Sequence, residues 1–230
     1  MGDGIRDRRS VMFFNDDIPD KNIIDDIILD SVTYTPNKCT IPYHKVKVYG
    51  PEYKDDKEKL VIQTNCDPEY KKIPDGEERI KFARSEYEEW IRMHLKVPRQ
   101  ANQKSVIRKR FNYYNFNPQV LAPYLFIFYN KHENKGDLLT PNIKMEESDT
   151  QIKATQSSSM HAYNIACLAA EKNISSSFCQ DITLHTEYND HRIDVNYDIV
   201  MCLGLGYPLE TKWNPKKRVV PEVEKVVEWQ

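Results

Sequence analysis

The stretch from Ala154 to Ala170, ATQSSSMHAYNIACLAA, holds no Lys, Arg, Asp or Glu in a chain of which 30% is charged. Five of the eight alanines of the sequence fall within it. Ala154, Ser158, Ala162 and Ala169 recur near helical spacing beside Met160, Ile165 and Leu168. Small residues on both faces let other backbones approach, so the pattern predicts a helix buried nearly all round. Gln156, Ser157, Ser158, Ser159, His161 and Asn164 make it too polar for a lipid span. It also falls short of the roughly 20 apolar residues that a bilayer requires. A soluble core helix, available to a dimer interface, is the expectation.

Around this helix, 230 residues with 40% hydrophobic and 11% aromatic content suffice for a substantial core. A formal charge of -2 argues against general affinity for nucleic acid or a membrane surface, because no overall excess of cations is present. Glycine is scarce, and neither GxGxxG nor GxxxxGK[ST] occurs, so a Gly-rich phosphate loop is not expected. The opening MGDGIRDRRS has no apolar run behind its charges, and no signal peptide is read there. Cys39, Cys66, Cys167, Cys179 and Cys202 are odd in number and never spaced CxxC. That pattern fits reduced cytoplasmic thiols better than a disulfide frame or a zinc site.

On the N-terminal side, Asp20 is a candidate N-cap for a helix whose Ile23, Ile24, Ile27 and Ile28 form one apolar face. It should end before Thr35-Pro36, since a residue preceding proline is driven out of helical geometry. PNKCTIPY then leads to a strand over 44–49, with Val46 and Val48 on one side and Lys45 and Lys47 on the other, closed by Gly50-Pro51. Residues 52–110 read as charge-rich helices with solvated faces. The stretch KSVIRKRFNYYNFN, 104–117, mixes basic and aromatic residues that could stack on single-stranded nucleic acid. PYLFIFY, 123–129, reads as a buried strand, and 130–150 as a polar loop. Beyond the central helix, His185, Glu187, Asp190 and His191 match no standard metal-ligand spacing and read as a polar loop. YDIVMCLGLG, 197–206, is the most hydrophobic strand. A Val-rich tail follows that must lie on its own body or on a partner. With no internal repeat and no low-complexity linker, one α+β domain over 1–230 is the reading.

Two basic clusters stand near opposite ends, Arg8-Arg9-Ser10 and Lys216-Lys217-Arg218. Guanidinium, ammonium and hydroxyl groups converging from distant segments suit a phosphate, which needs several charge-assisted donors. The order of pieces resembles the FMN-dependent nitroreductase family over nearly the whole chain. RRSVMFFNDDIPDKNIIDDII is similar to the family's opening and first helix, and TPNKCTIPYHKVKVYG to its PSxxNxQPW loop and following strand. SMHAYNIACLAAEKNISSSF is similar to the long central helix that ends beside the flavin. DIVMCLGLGYPLETKWNPKKRVVPEVEKVVEW is similar to the last core strand, its Gly-Tyr-Pro, the KxR phosphate clamp and the crossing C-terminal arm.

The resemblance implies a nitroreductase-like α+β fold: a central, mostly antiparallel sheet flanked by helices, a long buried helix, and a C-terminal arm (207–230) exchanged in a homodimer. It implies that Arg8, Arg9 and Ser10 contact the FMN phosphate and ribityl chain, and that Lys216 and Arg218 clamp the phosphate. Pro36, Asn37, Lys38 and Thr40 would lie against the flavin of the partner subunit, and Asn115 at the isoalloxazine edge. Phe178, Cys179, Gln180 and Asp181 match the segment over the ring, where the Gln180 backbone N–H approaches flavin N5. Met12 stands where the family has a basic residue, Thr40 where Asn is usual, and Asp181 where Gly is usual. The 36–43 loop is one residue shorter than the family pattern.

The implied activity is transfer of hydride from NAD(P)H through flavin N5 to an electron-poor acceptor such as a nitroaromatic or quinone, by ping-pong kinetics with no covalent protein nucleophile. A flavin-fragmenting or dehalogenase-type activity, or a non-catalytic nucleic-acid module using 104–117, are the alternatives. Cys179 reads as a small residue packed near the flavin rather than a nucleophile, because no His within a few positions supplies a base. No metal and no membrane partner are expected.

Overall fold

A computed structural model describes residues 4–11, 13–36, 43–54, 56–57, 81, 85, 118–130, 147–179 and 199–209. In chain order these form α1 (Gly4–Asp7), α2 (Lys21–Tyr34), β1 (His44–Tyr49), a 3-10 turn (Pro51–Tyr53), a second 3-10 turn (Pro118–Leu121), β2 (Tyr124–Asn130), α3 (Glu147–Glu171), β3 (Ser175–Cys179) and β4 (Ile199–Gly206). Most of the charge-rich stretch 52–110, the basic-aromatic stretch 104–117, the acidic and histidine-bearing stretch 185–191 and most of the C-terminal arm lie outside the described residues.

The helix α2 begins where its cap chemistry says it should. The Asp20 carboxylate accepts from Asn22 N at 2.8 Å, and Thr35 closes the helix in an extended conformation before Pro36. Ile24 and Ile27 are buried on its inner face, whereas Leu29 and Val32 are exposed.

The four strands form one sheet in the order β1-β2-β4-β3, every pair antiparallel. β2 is central, and Leu125, Phe126, Ile127 and Phe128 are each at most 1% exposed. Burial on both sides explains its continuous apolar run. β3, SSSFC, lacks any alternating pattern, yet its Ser176 and Ser177 are buried.

The helix α3 packs on all four strands and on α1 and α2. It begins at Glu147, inside the stretch read as a polar loop. Just beyond that stretch Gln151 and Ile152 are exposed on the same helix, so a polar, solvated start did not break the helix. Ala154, Ser158, Ala162, Ile165, Ala166 and Ala169 are buried, at most 1% exposed. The opposite side is open, with Met160 at 42% and Tyr163 at 44% exposure. In the single chain, burial is therefore one-sided, against the expectation of a helix covered nearly all round. The small residues let α3 settle onto the sheet, and the core gathers there around Ile24, Phe126, Phe128, Ile165, Leu203 and Leu205.

Candidate functional site

Residues 8–11 and 13–15 lie along β3 and the end of β4. Ser10 pairs with Ser176 in a parallel bridge, and Val11 N donates to Ser176 O at 3.0 Å. Phe14 then pairs with Pro208, while Asn15 N donates to Tyr207 O and Leu209 N donates to Phe13 O. Val11 and Phe13 are buried. Two glycines allow this close fit. A Cβ at Gly204 would lie 2.5 Å from Gln119 O and 2.7 Å from the Ala122 Cβ, and one at Gly206 would lie 2.9 Å from the Phe14 ring. At the other end of the segment, Gly4 lets α1 rest on α3, since a Cβ there would meet the carbonyl oxygen of Cys167.

This path carries Arg8 to the exposed side of α3. Its guanidinium carbon lies 5.6 Å from the Tyr163 ring centroid and 5.8 Å from that of Phe178, within cation–π range of both. Arg8 is half-buried, whereas Arg9 and Ser10 are exposed. Ser176 Oγ, on the strand that Ser10 joins, is 1% exposed and has no hydrogen-bond partner among the described residues. Cationic, hydroxyl and aromatic groups thus meet at one corner, formed by the N-terminal segment, β3 and α3.

Of the residues predicted from sequence, Arg8 meets Phe178 here and Ser10 joins β3 beside them, with Arg9 exposed between Arg8 and Ser10, whereas Cys179 follows Phe178 in β3 and so takes the other face of the sheet. Pro36 does not join them. It follows Thr35 at the end of α2, and the Thr35 hydroxyl accepts from Asn164 Nδ2 at 3.0 Å. Arg8 and Thr35 therefore attach at neighbouring helix positions, Tyr163 and Asn164, which point to different sides of α3. Asn37, Lys38, Thr40, Asn115, Gln180, Asp181, Lys216 and Arg218 lie outside the described residues. The chain enters its C-terminal arm at Leu209, bonded to Phe13.

Three features escaped the sequence reading. Tyr163 is one. Lys57, 3% exposed, is another: it donates to Ala122 O and Pro123 O at 2.9 Å each, and burial draws its pKa down to about 8. It braces the turn against which Gly204 packs. The third is a buried polar chain. His44 Nδ1 lies 2.8 Å from Ser157 Oγ, His44 Nε2 lies 2.9 Å from His161 Nδ1, and His161 Nε2 lies 2.9 Å from Ser31 Oγ. The Ser31 hydroxyl donates to Ile28 O. All four side chains are at most 7% exposed. Ser31, His161 and His44 border a cavity of about 330 Å³, also lined by Ile28, Val32, Val46, Val48 and Phe126.

Cys179 is buried and stands directly opposite Cys202 across β3 and β4, both as free thiols. Burial pushes the Cys202 thiol well above its ordinary pKa, and its contact with Cys179 adds to this. The burial of Cys179 in β3 beside Cys202 favours a packing role for it. Among the described residues no group of three or more His, Cys, Asp or Glu could hold a metal ion, and no helix is long and apolar enough to cross a membrane.

Solved structures share this architecture from end to end. The FMN-dependent nitroreductase NfnB from Mycobacterium smegmatis, in complex with NADPH, superposes with a TM-score of 0.63 at 11% identity, over 99% of this chain and 96% of that one. The chain has the nitroreductase fold. A nitroreductase-like family protein from Bacillus cereus matches with a TM-score of 0.61 at 15% identity, over 99% of this chain and 94% of that one. A nitroreductase with bound FMN from Bacteroides fragilis NCTC 9343 matches at 0.56 and 14%, over 99% and 97%. No family sequence model and no curated protein sequence matches the chain. The nitroreductase fold of this chain is therefore carried by its backbone and core pattern and not by overall sequence similarity. Its antiparallel sheet, flanking helices and long α3 agree with the architecture expected from the sequence.

Proposed function

We propose that the protein is an FMN-dependent oxidoreductase that draws electrons from NAD(P)H and delivers them to an electron-poor small molecule such as a nitroaromatic or quinone. The observation that carries this reading is the corner where Arg8 lies over Phe178 and Tyr163 beside Ser10, in a fold shared with proteins described as FMN- and NADPH-dependent nitroreductases. The groups present fit the cofactor. Arg8, Arg9 and Ser10 supply charge-assisted donors for its phosphate, with Lys216 and Arg218 completing the clamp, and Phe178 offers a ring face. Bound FMN would supply the two-electron chemistry. The protein's part is to hold the headgroup, orient the ring through 178–181 with the Gln180 N–H at N5, and keep bulk water away.

A homodimer with two sites belongs to the same proposal. The open side of α3, with Met160 and Tyr163, lies next to Arg8 and offers a surface for a second copy. The arm 207–230 would cross to that copy, and Pro36, Asn37, Lys38 and Thr40 would reach its flavin. Asn115 would meet the ring edge.

The test is the visible spectrum of the purified protein, with FMN added where needed, followed by NADPH and NADH oxidation with a nitroaromatic or a quinone. A stoichiometric flavin spectrum and acceptor-dependent turnover are expected. A colourless protein that takes up no FMN would overturn the assignment. Stoichiometric loss of FMN under NADPH and air would instead make the flavin a substrate.

A further inference from the structure

We propose, resting on the flavin function above, that Gly4 and Tyr163 are positioning residues for Arg8: by fixing its guanidinium they set this corner's preference for a flavin that carries a phosphate over one that does not. Both act through Arg8, and neither needs to touch the cofactor. Gly4 is buried, and a Cβ there would meet the carbonyl oxygen of Cys167 and lie 2.9 Å from Glu171 Cγ, so a side chain at this position would lift α1 off α3. One turn on, Arg8 N donates to Gly4 O at 3.1 Å, and the Arg8 guanidinium reaches Tyr163, which stands one turn before Cys167. The helix α1 thus runs along α3 in the opposite direction. The two spans match, since four residues of either helix rise about 6 Å.

Beyond Arg8 the backbone is held again. Ser10 bridges Ser176, and Val11 N donates to Ser176 O at 3.0 Å. Arg8 therefore stands between two anchors, one on α3 and one on β3, and its side chain meets a ring from each, Tyr163 at 5.6 Å and Phe178 at 5.8 Å. Phe178 stands opposite Leu203 and packs against the core, which makes it the fixed wall. Tyr163, 44% exposed, is the wall that faces solvent.

A cation–π contact engages the charge of a guanidinium and consumes none of its N–H groups, so the rings can hold Arg8 while its edge serves a phosphate. A side chain that is already ordered also loses less freedom when the anion arrives. The gain goes to the phosphate alone, because the oxidised isoalloxazine ring carries no negative charge for Arg8 to pair with. FMN and riboflavin differ only in that phosphate. Disturbing Gly4 or Tyr163 should therefore show with the first and not with the second.

The experiment measures dissociation constants for FMN and for riboflavin by flavin fluorescence in wild type, Tyr163→Leu, Tyr163→Phe, Gly4→Ala, Arg8→Ala and the double variant of Arg8→Ala with Tyr163→Leu. Tyr163 is exposed, so replacing it carries little folding risk and decides the matter even where Gly4→Ala does not fold. Tyr163→Leu should weaken FMN about two- to fivefold and leave riboflavin unchanged, and Tyr163→Phe, which keeps the ring, should hold FMN at the wild-type level. Gly4→Ala should weaken FMN about tenfold, again with riboflavin unchanged. In the Arg8→Ala background Tyr163→Leu should cost nothing further, since a residue that acts only through Arg8 then has nothing to act on. Equal losses for FMN and riboflavin, additive losses in the double variant, or wild-type FMN affinity in Tyr163→Leu overturn the positioning role and leave the flavin reading standing. A wild-type protein that takes up neither flavin overturns that reading and the positioning role with it.

Discussion

The two sides of α3 handle polar groups in opposite ways. Around Arg8 the cation lies on aromatic faces, Arg9 and Ser10 are exposed, and Ser176 Oγ is buried without a hydrogen-bond partner among the described residues. Around His44 and His161 every ring nitrogen is taken and the side chains are buried. Open polar capacity beside exposed charge suits capture of an anion from solution. Closed polar capacity in the interior suits fixing the chain, because buried polar groups that are all satisfied specify geometry and offer nothing to a ligand.

The largest expected effect breaks the first side at its foundation. Gly204→Ala places a methyl group against the immobile Gln119 carbonyl and beside the Phe14 ring. It should cost about 3 kcal/mol in urea unfolding, as overpacking of a tight contact does. FMN affinity should drop with it.

Acid should act on the second side. The ordinary histidine pKa of 6.5 falls to about 4 for His161 in the fold because burial disfavours the cation. Between these values the unfolded chain binds more protons. The contribution is therefore fully present above about pH 6.5 and is lost as pH falls through about 4. Its size is at most about 3 kcal/mol. Comparing urea midpoints at pH 7 and pH 5 should show a larger loss in wild type than in His161→Phe. Equal losses would mean that the ring does not titrate between folded and unfolded states.

Arg8→Ala should weaken FMN binding roughly tenfold to a hundredfold in a fluorescence titration, the loss of one charge-assisted contact of about 1.5–3 kcal/mol. Arg218→Ala should act in the same sense. Wild-type affinity in both would disconnect the basic residues from the cofactor. The smallest effect sharpens the picture: Tyr163→Leu removes a cation–π contact of about 0.5–1 kcal/mol and should weaken FMN only about two- to fivefold.

Much of the framework was legible in the sequence because its signals are local. Asp20 and Thr35-Pro36 bound α2, alternation marked β1, and continuous apolar runs marked β2 and β4. β3 stayed hidden, since SSSFC owes its burial to its neighbours and to the N-terminal segment, not to its own pattern. The first corner was half legible: Arg8, Ser10 and Phe178 came from the family resemblance, while Tyr163 looked like any helix residue. The histidine chain was invisible for a physical reason. His44 and Ser157 are 113 positions apart, and Ser31 and His161 are 130 apart, so no local spacing announces them. The trace in the sequence was a set of polar residues, 157, 161 and 164 among them, within the uncharged part of α3, which read merely as too polar for a membrane.

Gly204 and Gly206 leave one face of the end of β4 without side chains, and the rings of Phe14 and Pro123 fill the space instead. With Val11 and Phe13 also buried, the N-terminal segment supplies packing as well as the arginines. Trimming it would strip out core contacts along with the cations. A version of the protein prepared for study should therefore keep residues 4–15 intact.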